Sequence, residues 1–136
     1  MKCSRRDLAI LIPVLASAQQ SKALPSRVFK YDDLAVKVNG ENKSRAVMKG
    51  ETHSAFPIEL HMTELGSGQA PHAPHKHVHE ECLMLRNGLL DATIDGQTTH
   101  LTAGSIIYVA SNEMHGWRNP GPERAEYFVI AFGKDT

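Results

Sequence analysis

After residue 30, no stretch of this chain holds a helical period for three turns. It carries short apolar or alternating runs cut by turn residues, and that punctuation constrains the fold more than anything else in it. Pro57–Leu65 alternates apolar and polar side chains, as a half-buried strand does, and Gly66-Ser67-Gly68 ends it. Cys82–Leu85 is a brief apolar run closed by Asn87-Gly88. Leu89–Ile94 and Thr98–Leu101 flank Asp95-Gly96, a hairpin signal because that turn needs positive φ at its centre. Ile106–Val109 and Ala125–Phe132 are β-branched and aromatic runs, and a first strand is expected near Leu34–Val38, before Asn39-Gly40. Strands at spacings of about 8–12 residues indicate a sandwich or small barrel. The expectation is one all-β domain over residues 31–136, led by a polar arm at residues 19–30.

The first eighteen residues differ in kind. Lys2, Arg5 and Arg6 form a positive head, Leu8–Ala16 is an apolar run, and Ala16-Ser17-Ala18 is a small-x-small cleavage pattern. The run is too short to cross a bilayer as a helix, which takes about 20 residues. A signal peptide at residues 1–18 is therefore expected, with a periplasmic or secreted mature chain. Ser4-Arg5-Arg6-Asp7-Leu8 resembles a twin-arginine export signal, carrying Leu8 where that pattern usually has Phe. Removing it takes away Cys3 and leaves Cys82 without a partner, so Cys82 reads as a small hydrophobe and not as a staple.

Charge excludes some partners. Fifteen Lys and Arg balance fifteen Asp and Glu, and without the leader twelve basic residues face fourteen acidic ones. Neither balance draws the chain to nucleic acid or, after leader removal, to an anionic membrane. Histidine is the anomaly, with six of the eight lying between His61 and His100. In Pro71–Glu81, His75 and His77 are two apart, so on a strand both imidazoles aim at one point. Glu81 follows four residues later, where a short turn can fold it back. Two imidazoles and one carboxylate make the face that holds Fe(II) with open positions. A third imidazole, His115, lies downstream.

Here the sequence resembles the cupin superfamily. The first motif of that family is His-x-His, three or four residues, Glu, six residues and Gly; His75, His77, Glu81 and Gly88 meet each spacing, while Gly68 lies one residue further upstream than usual. The second motif is met by Gly104, His115 and Asn119, with Ala110 and Asn112 standing where Pro and Gly are common. The resemblance implies a double-stranded β-helix, or jelly-roll barrel. It also implies one divalent transition metal on His75, His77, Glu81 and His115, and a homodimer paired through an edge strand. Mn or Fe suits that set first, with Zn, Ni or Cu accepted. His79 and Glu80 are expected in the turn between ligand strands and in solvent, and His72 in the loop before them. Candidates for the pocket around the ion are His72, His61, Tyr108, Trp117 and Arg118, with Tyr108 and Trp117 better suited to core or dimer packing than to ligand contact. His61 shares a strand face with Glu59 and Thr63, opposite Ile58, Leu60 and Met62. It points outward or, if the inner face is the polar one, forms a wall of the cavity. Arg86 and Arg118 are the cations nearest the motifs.

The resemblance leaves two classes of function open. One is a metal-dependent oxygenase, lyase or isomerase acting on a small oxygenated molecule. The other is a non-catalytic cupin that binds a sugar-like or small acidic ligand, or buffers metal.

Overall fold

The computed structural model describes residues 23–134 and residue 136. The expected signal peptide and the first four residues of the arm lie outside the described residues. Among those described, no α-helix occurs; a one-turn 3-10 segment at Tyr31–Asp33 precedes nine strands. These are β1 (Lys37–Asn39), β2 (Asn42–Glu51), β3 (Pro57–Leu65), β4 (Glu80–Asn87), β5 (Leu89–Ile94), β6 (Gln97–Thr102), β7 (Ile106–Val109), β8 (His115–Arg118) and β9 (Ala125–Phe132). Six form one antiparallel sheet in the order β1-β2-β3-β9-β4-β7, and three form a second in the order β6-β5-β8. A two-way backbone bridge, His75 to His115, attaches the histidine segment beside β8. The fold is an all-β jelly roll of the double-stranded β-helix type.

β3, β5, β7 and β9 fall where the apolar runs place them. The Asp95-Gly96 hairpin has φ of 46° and 81° at its two residues, as the primed turn requires. The first strand is shifted: Leu34 caps the 3-10 turn, and pairing starts only at Lys37. Two strands have no sequence signal. In β2 a bulge between Ala46 and Met48 breaks the alternation. In β8, His-Gly-Trp-Arg is too short and mixed to read alone.

Register assigns the faces, because directly paired residues of an antiparallel sheet share a side. Across β3, β9 and β4, Thr63 aligns with Tyr127 and Leu85, His61 with Val129 and Leu83, and Glu59 with Ala131 and Glu81. Tyr127, Val129, Leu83 and Leu85 belong to the buried core, so this is the inner side. Leu90, Ala92 and Trp117 of the smaller sheet close on it. Burying each such large apolar side chain contributes roughly 1.5–3 kcal/mol.

Ile58, Leu60 and Met62 thus lie on the outer side of β3. On that side Phe29 of the arm, with Tyr31 and Leu34 just after it, lines a pocket together with Leu60, Met62 and Phe128. Beneath the arm, Arg45 pairs with Glu64, its guanidinium lies over the Tyr31 ring, and the Tyr31 hydroxyl donates to Glu64.

Candidate metal centre

The two histidine motifs meet because the backbone ties them together. His75 and His115 exchange N–H···O bonds of 2.9 Å in both directions, and the Asn112 N–H donates to the His77 carbonyl at 2.7 Å. Asn112 makes that bond from a left-handed turn, φ 63°. Asn accepts that conformation better than most side chains, which is why it can stand where the family pattern has Gly. Gly88 is more constrained: a Cβ there would lie 2.5 Å from the Arg124 carbonyl oxygen. The turn into β5 therefore admits no side chain.

Three imidazoles converge. One ligating nitrogen from each of His75, His77 and His115 lies within 4.8 Å of the other two. Glu81, inward on β4, brings Oε1 to 3.5 Å from His77 Nε2 and Oε2 to 3.7 Å from His115 Nε2. The far ring nitrogens are anchored: His77 Nδ1 donates to the His79 carbonyl at 2.8 Å, and His115 Nδ1 to the Glu113 carbonyl at 2.9 Å. Those bonds fix the tautomers and leave both Nε2 atoms as bare acceptors, the arrangement that holds a ligating imidazole in place. His75 Nδ1, His77 Nε2 and His115 Nε2 are buried with no hydrogen-bond partner. Three unsatisfied buried acceptors at one point would be costly in a finished core. A cation satisfies all three at once. The His75 pKa is lowered, first by burial and then by the neighbouring imidazoles, which favours the neutral form a metal needs.

Beneath the imidazoles lies a hydrogen-bonded floor. Trp117 stacks on His115 and donates from Nε1 to the Tyr127 hydroxyl at 2.9 Å, and Tyr127 also bonds with the Thr63 side chain. Burial pushes the Tyr127 hydroxyl up to about 12, so it stays a neutral phenol.

A model of the cupin domain matches residues 61–131, just over half of the chain and inclusive of both motifs. The chain belongs to the cupin domain family. Solved structures carry the same fold at low identity. An RmlC-like cupin from Shewanella frigidimarina is similar at TM-score 0.68 and 17% identity, over 82% of this chain and 94% of that one. KdgF from a Halomonas species is similar at TM-score 0.68 and 16% identity, over 82% and 97%. The polyketide cyclase RemF from Streptomyces resistomycificus is similar at TM-score 0.62 and 18% identity, over 80% of each chain. Among curated proteins, no sequence matches. Cupins commonly bind a divalent metal, and this cupin has a His/Glu group able to hold one.

Three of the five pocket candidates, His72, Trp117 and Arg118, line one pocket together with Pro74 and Asp91, and His61 and Tyr108 lie apart from it. Trp117 lies against the centre, and His72, though exposed, sets its ring edge-on to His75 at 4.3 Å. His61 is on the inner wall. Tyr108 does not reach the centre: it pairs with Cys82 on the outer face of the larger sheet and is exposed. Arg118 points away from the chamber toward Asp91, at 3.6 Å, and Arg86 toward Glu126, also at 3.6 Å. His79, expected in solvent, instead stacks on His77 with centroids 3.6 Å apart and sets Nε2 3.5 Å from Glu81 Oε1. Its i+2 relation to His77 was the available signal, and the turn at Val78 hid it.

Proposed function

We propose that this cupin is an exported, mononuclear metal-dependent lyase, isomerase or oxygenase acting on a small oxygenated molecule. The observation that carries the reading is the trio of orphaned buried nitrogens on His75, His77 and His115, with the Glu81 carboxylate beside them. Three neutral imidazoles and one carboxylate leave a divalent ion with net charge +1 and, at six-coordination, two positions for a chelating ligand. A divalent cation bound there supplies Lewis acidity toward a carbonyl or enol oxygen. The chain does the rest. Trp117 and Tyr127 exclude water from below, and His79 and His72 buttress His77 and His75, respectively. Among the described residues no thiol competes, since Cys82 is paired with Tyr108 on the other face. An all N and O donor set supports Mn or Fe as the working ion, with Zn, Ni or Cu as competitors.

The same reading includes export through the leader and a homodimer. Ile106 and Tyr108, 65% and 58% exposed on the edge strand β7, support pairing through that edge. The deciding experiment is elemental analysis of natively exported protein, followed by turnover assays on His115→Ala and Glu81→Ala. One stoichiometric Mn or Fe, with turnover lost in both folded variants, supports the reading. Metal-bound protein without turnover on any small oxygenated substrate supports instead a cupin that only binds its ligand. Absence of a stoichiometric ion overturns both.

A further inference from the structure

The inner wall of the chamber carries a second set of reactive groups. On β3, Glu59 and His61 face inward where an ordinary core would have aliphatic residues. Their partners on β9 are Ala131 and Val129, and beyond these on β4 stand Glu81 and Leu83. Neighbouring strands are about 4.8 Å apart, so Glu59 and Glu81 stand roughly 10 Å apart at the same level. Within the sheet, Ala131 stands between them. Glu59 and His61 therefore share the inner side of the sheet with the Glu81 ligand, one strand removed from it across β9. His61 Nδ1 faces Glu59 Oε1 at 3.5 Å, which leaves Nε2 as the ring nitrogen directed away from the carboxylate. Lys49 holds the other Glu59 oxygen at 3.0 Å. The His61 and Glu59 side chains are 31% and 33% exposed, so a ligand entering the chamber can touch them.

We propose that His61 is the proton-transfer residue of this chamber, oriented by Glu59, and that its ligand is a small 2-oxo acid. This rests on the metal-centre reading above. The two adjacent oxygens of such an acid would suit a divalent ion held by His75, His77, Glu81 and His115, and His61, facing inward on β3 beyond Val129, would take the proton from the C–H next to the carbonyl. The step conserves atoms and electrons. The C–H bond breaks, its electron pair becomes the carbon–carbon bond of the enol form, and the carbonyl oxygen takes the charge. The proton rests on His61 Nε2 until it returns to carbon, and nothing is oxidised or reduced. Glu59 is a positioning residue: it accepts from Nδ1 and stabilises the imidazolium.

The test uses Mn(II)-loaded protein, pyruvate in D2O, and oxalate as a stand-in for the enol form. The wild type is expected to wash deuterium into the pyruvate methyl group. His61→Gln should slow this about a hundredfold or more and weaken oxalate binding, measured by calorimetry, about tenfold, with one ion per chain retained. Glu59→Gln should slow exchange while the half-saturating pyruvate concentration holds, and Glu59→Asp should recover part of the rate. Unchanged exchange and oxalate affinity in His61→Gln, with the ion still bound, overturns the proposal. So does a metal-loaded wild type that neither exchanges pyruvate nor binds oxalate. A wild type that holds no stoichiometric ion fails earlier, at the metal centre itself.

Discussion

β3 has two halves that meet opposite conditions. From Met62 to Leu65 every residue is buried; from Pro57 to His61 every residue is only half-buried. Its inner side passes from Leu65, fully buried, through Thr63 in the hydrogen-bonded floor to His61 and Glu59 at the chamber mouth. β4 runs the opposite way, from Glu81 at the mouth to Leu83 and Leu85 in the core. One end of the barrel is therefore closed by apolar packing. The other keeps three buried ring nitrogens, on His75, His77 and His115, without a hydrogen-bond partner. Stability and chemistry are segregated along the same strands, and substitutions at the two ends should fail in different ways.

The largest effect is expected at the mouth. His77→Ala removes one of the three converging nitrogens from a half-buried position. Metal affinity should fall by more than the roughly 10–100-fold typical of losing an outer partner of a metal ligand. The metal-free melting temperature should stay near that of the metal-free wild type. Isothermal titration with Mn(II) and calorimetric melting measure the two quantities separately. Retained metal affinity in His77→Ala would break the comparison at its functional end.

The converse variant is Leu65→Ala, at the end where the side chain has no exposure. A cavity there should cost about 2–5 kcal/mol of stability, read from denaturant midpoints, while one ion per chain is still bound at saturation. Loss of metal stoichiometry in a variant that remains folded would show that the two ends are coupled.

How far each end was legible follows from the kind of signal it uses. The ligand set is a matter of spacing and residue type, so His75, His77, Glu81 and His115 stand out with no knowledge of the fold. Which face of β3 is inside is a matter of tertiary packing. Ile58, Leu60 and Met62 look like a core stripe, but they lie on the outer side, where Leu60 and Met62 line a pocket with Phe29, Tyr31 and Leu34. Alternation locates a strand and leaves its inner face undetermined. The same gap hid the position of Tyr108. β2 and β8 escaped for local reasons: a bulge in one, and in the other four residues whose extended form depends on pairing with β5. His79 was misplaced because stacking on His77 is a contact that strand periodicity does not encode.

Asn119 sharpens the contrast at the closed end. It matches the last position of the second motif yet lies away from the metal ligands and is fully buried. Its amide donates to the carbonyls of Leu65, Gly66 and Glu123, at 3.3, 3.0 and 2.7 Å, and its oxygen accepts from the Gly121 N–H at 2.9 Å. The residue is a clamp that sews the end of β3 to the turn before β9. Asn119→Ala leaves those groups unpaired and should cost about 1–3 kcal/mol. Asn119→Asp should cost more, because a carboxylate cannot donate to three carbonyls. Chemical denaturation ranks the pair, and an Asp variant as stable as wild type would contradict the clamp.

The smallest effect concerns charge on the outer side of the closed half. Burial works to raise the Glu64 carboxyl pKa, but the hydrogen bond and charge of Arg45, with help from Tyr31 and Lys43, outweigh it. The net result lies below the ordinary value of 4.5. A carboxylate with a depressed folded value stabilises the fold at any pH above its unfolded value, and that contribution drains away as pH falls through the folded value. Wild type and Glu64→Gln should therefore differ in melting temperature at pH 7 and converge below about pH 4.5, as Glu64 takes up its proton. The amide oxygen introduced by Glu64→Gln can still accept from Arg45, so the gap at pH 7 isolates the charge and should be the smallest of the four effects. A gap that stays constant from pH 7 to pH 3 would mean that the pair under Tyr31 acts by shape and packing alone, and the closed end would then owe nothing measurable to electrostatics.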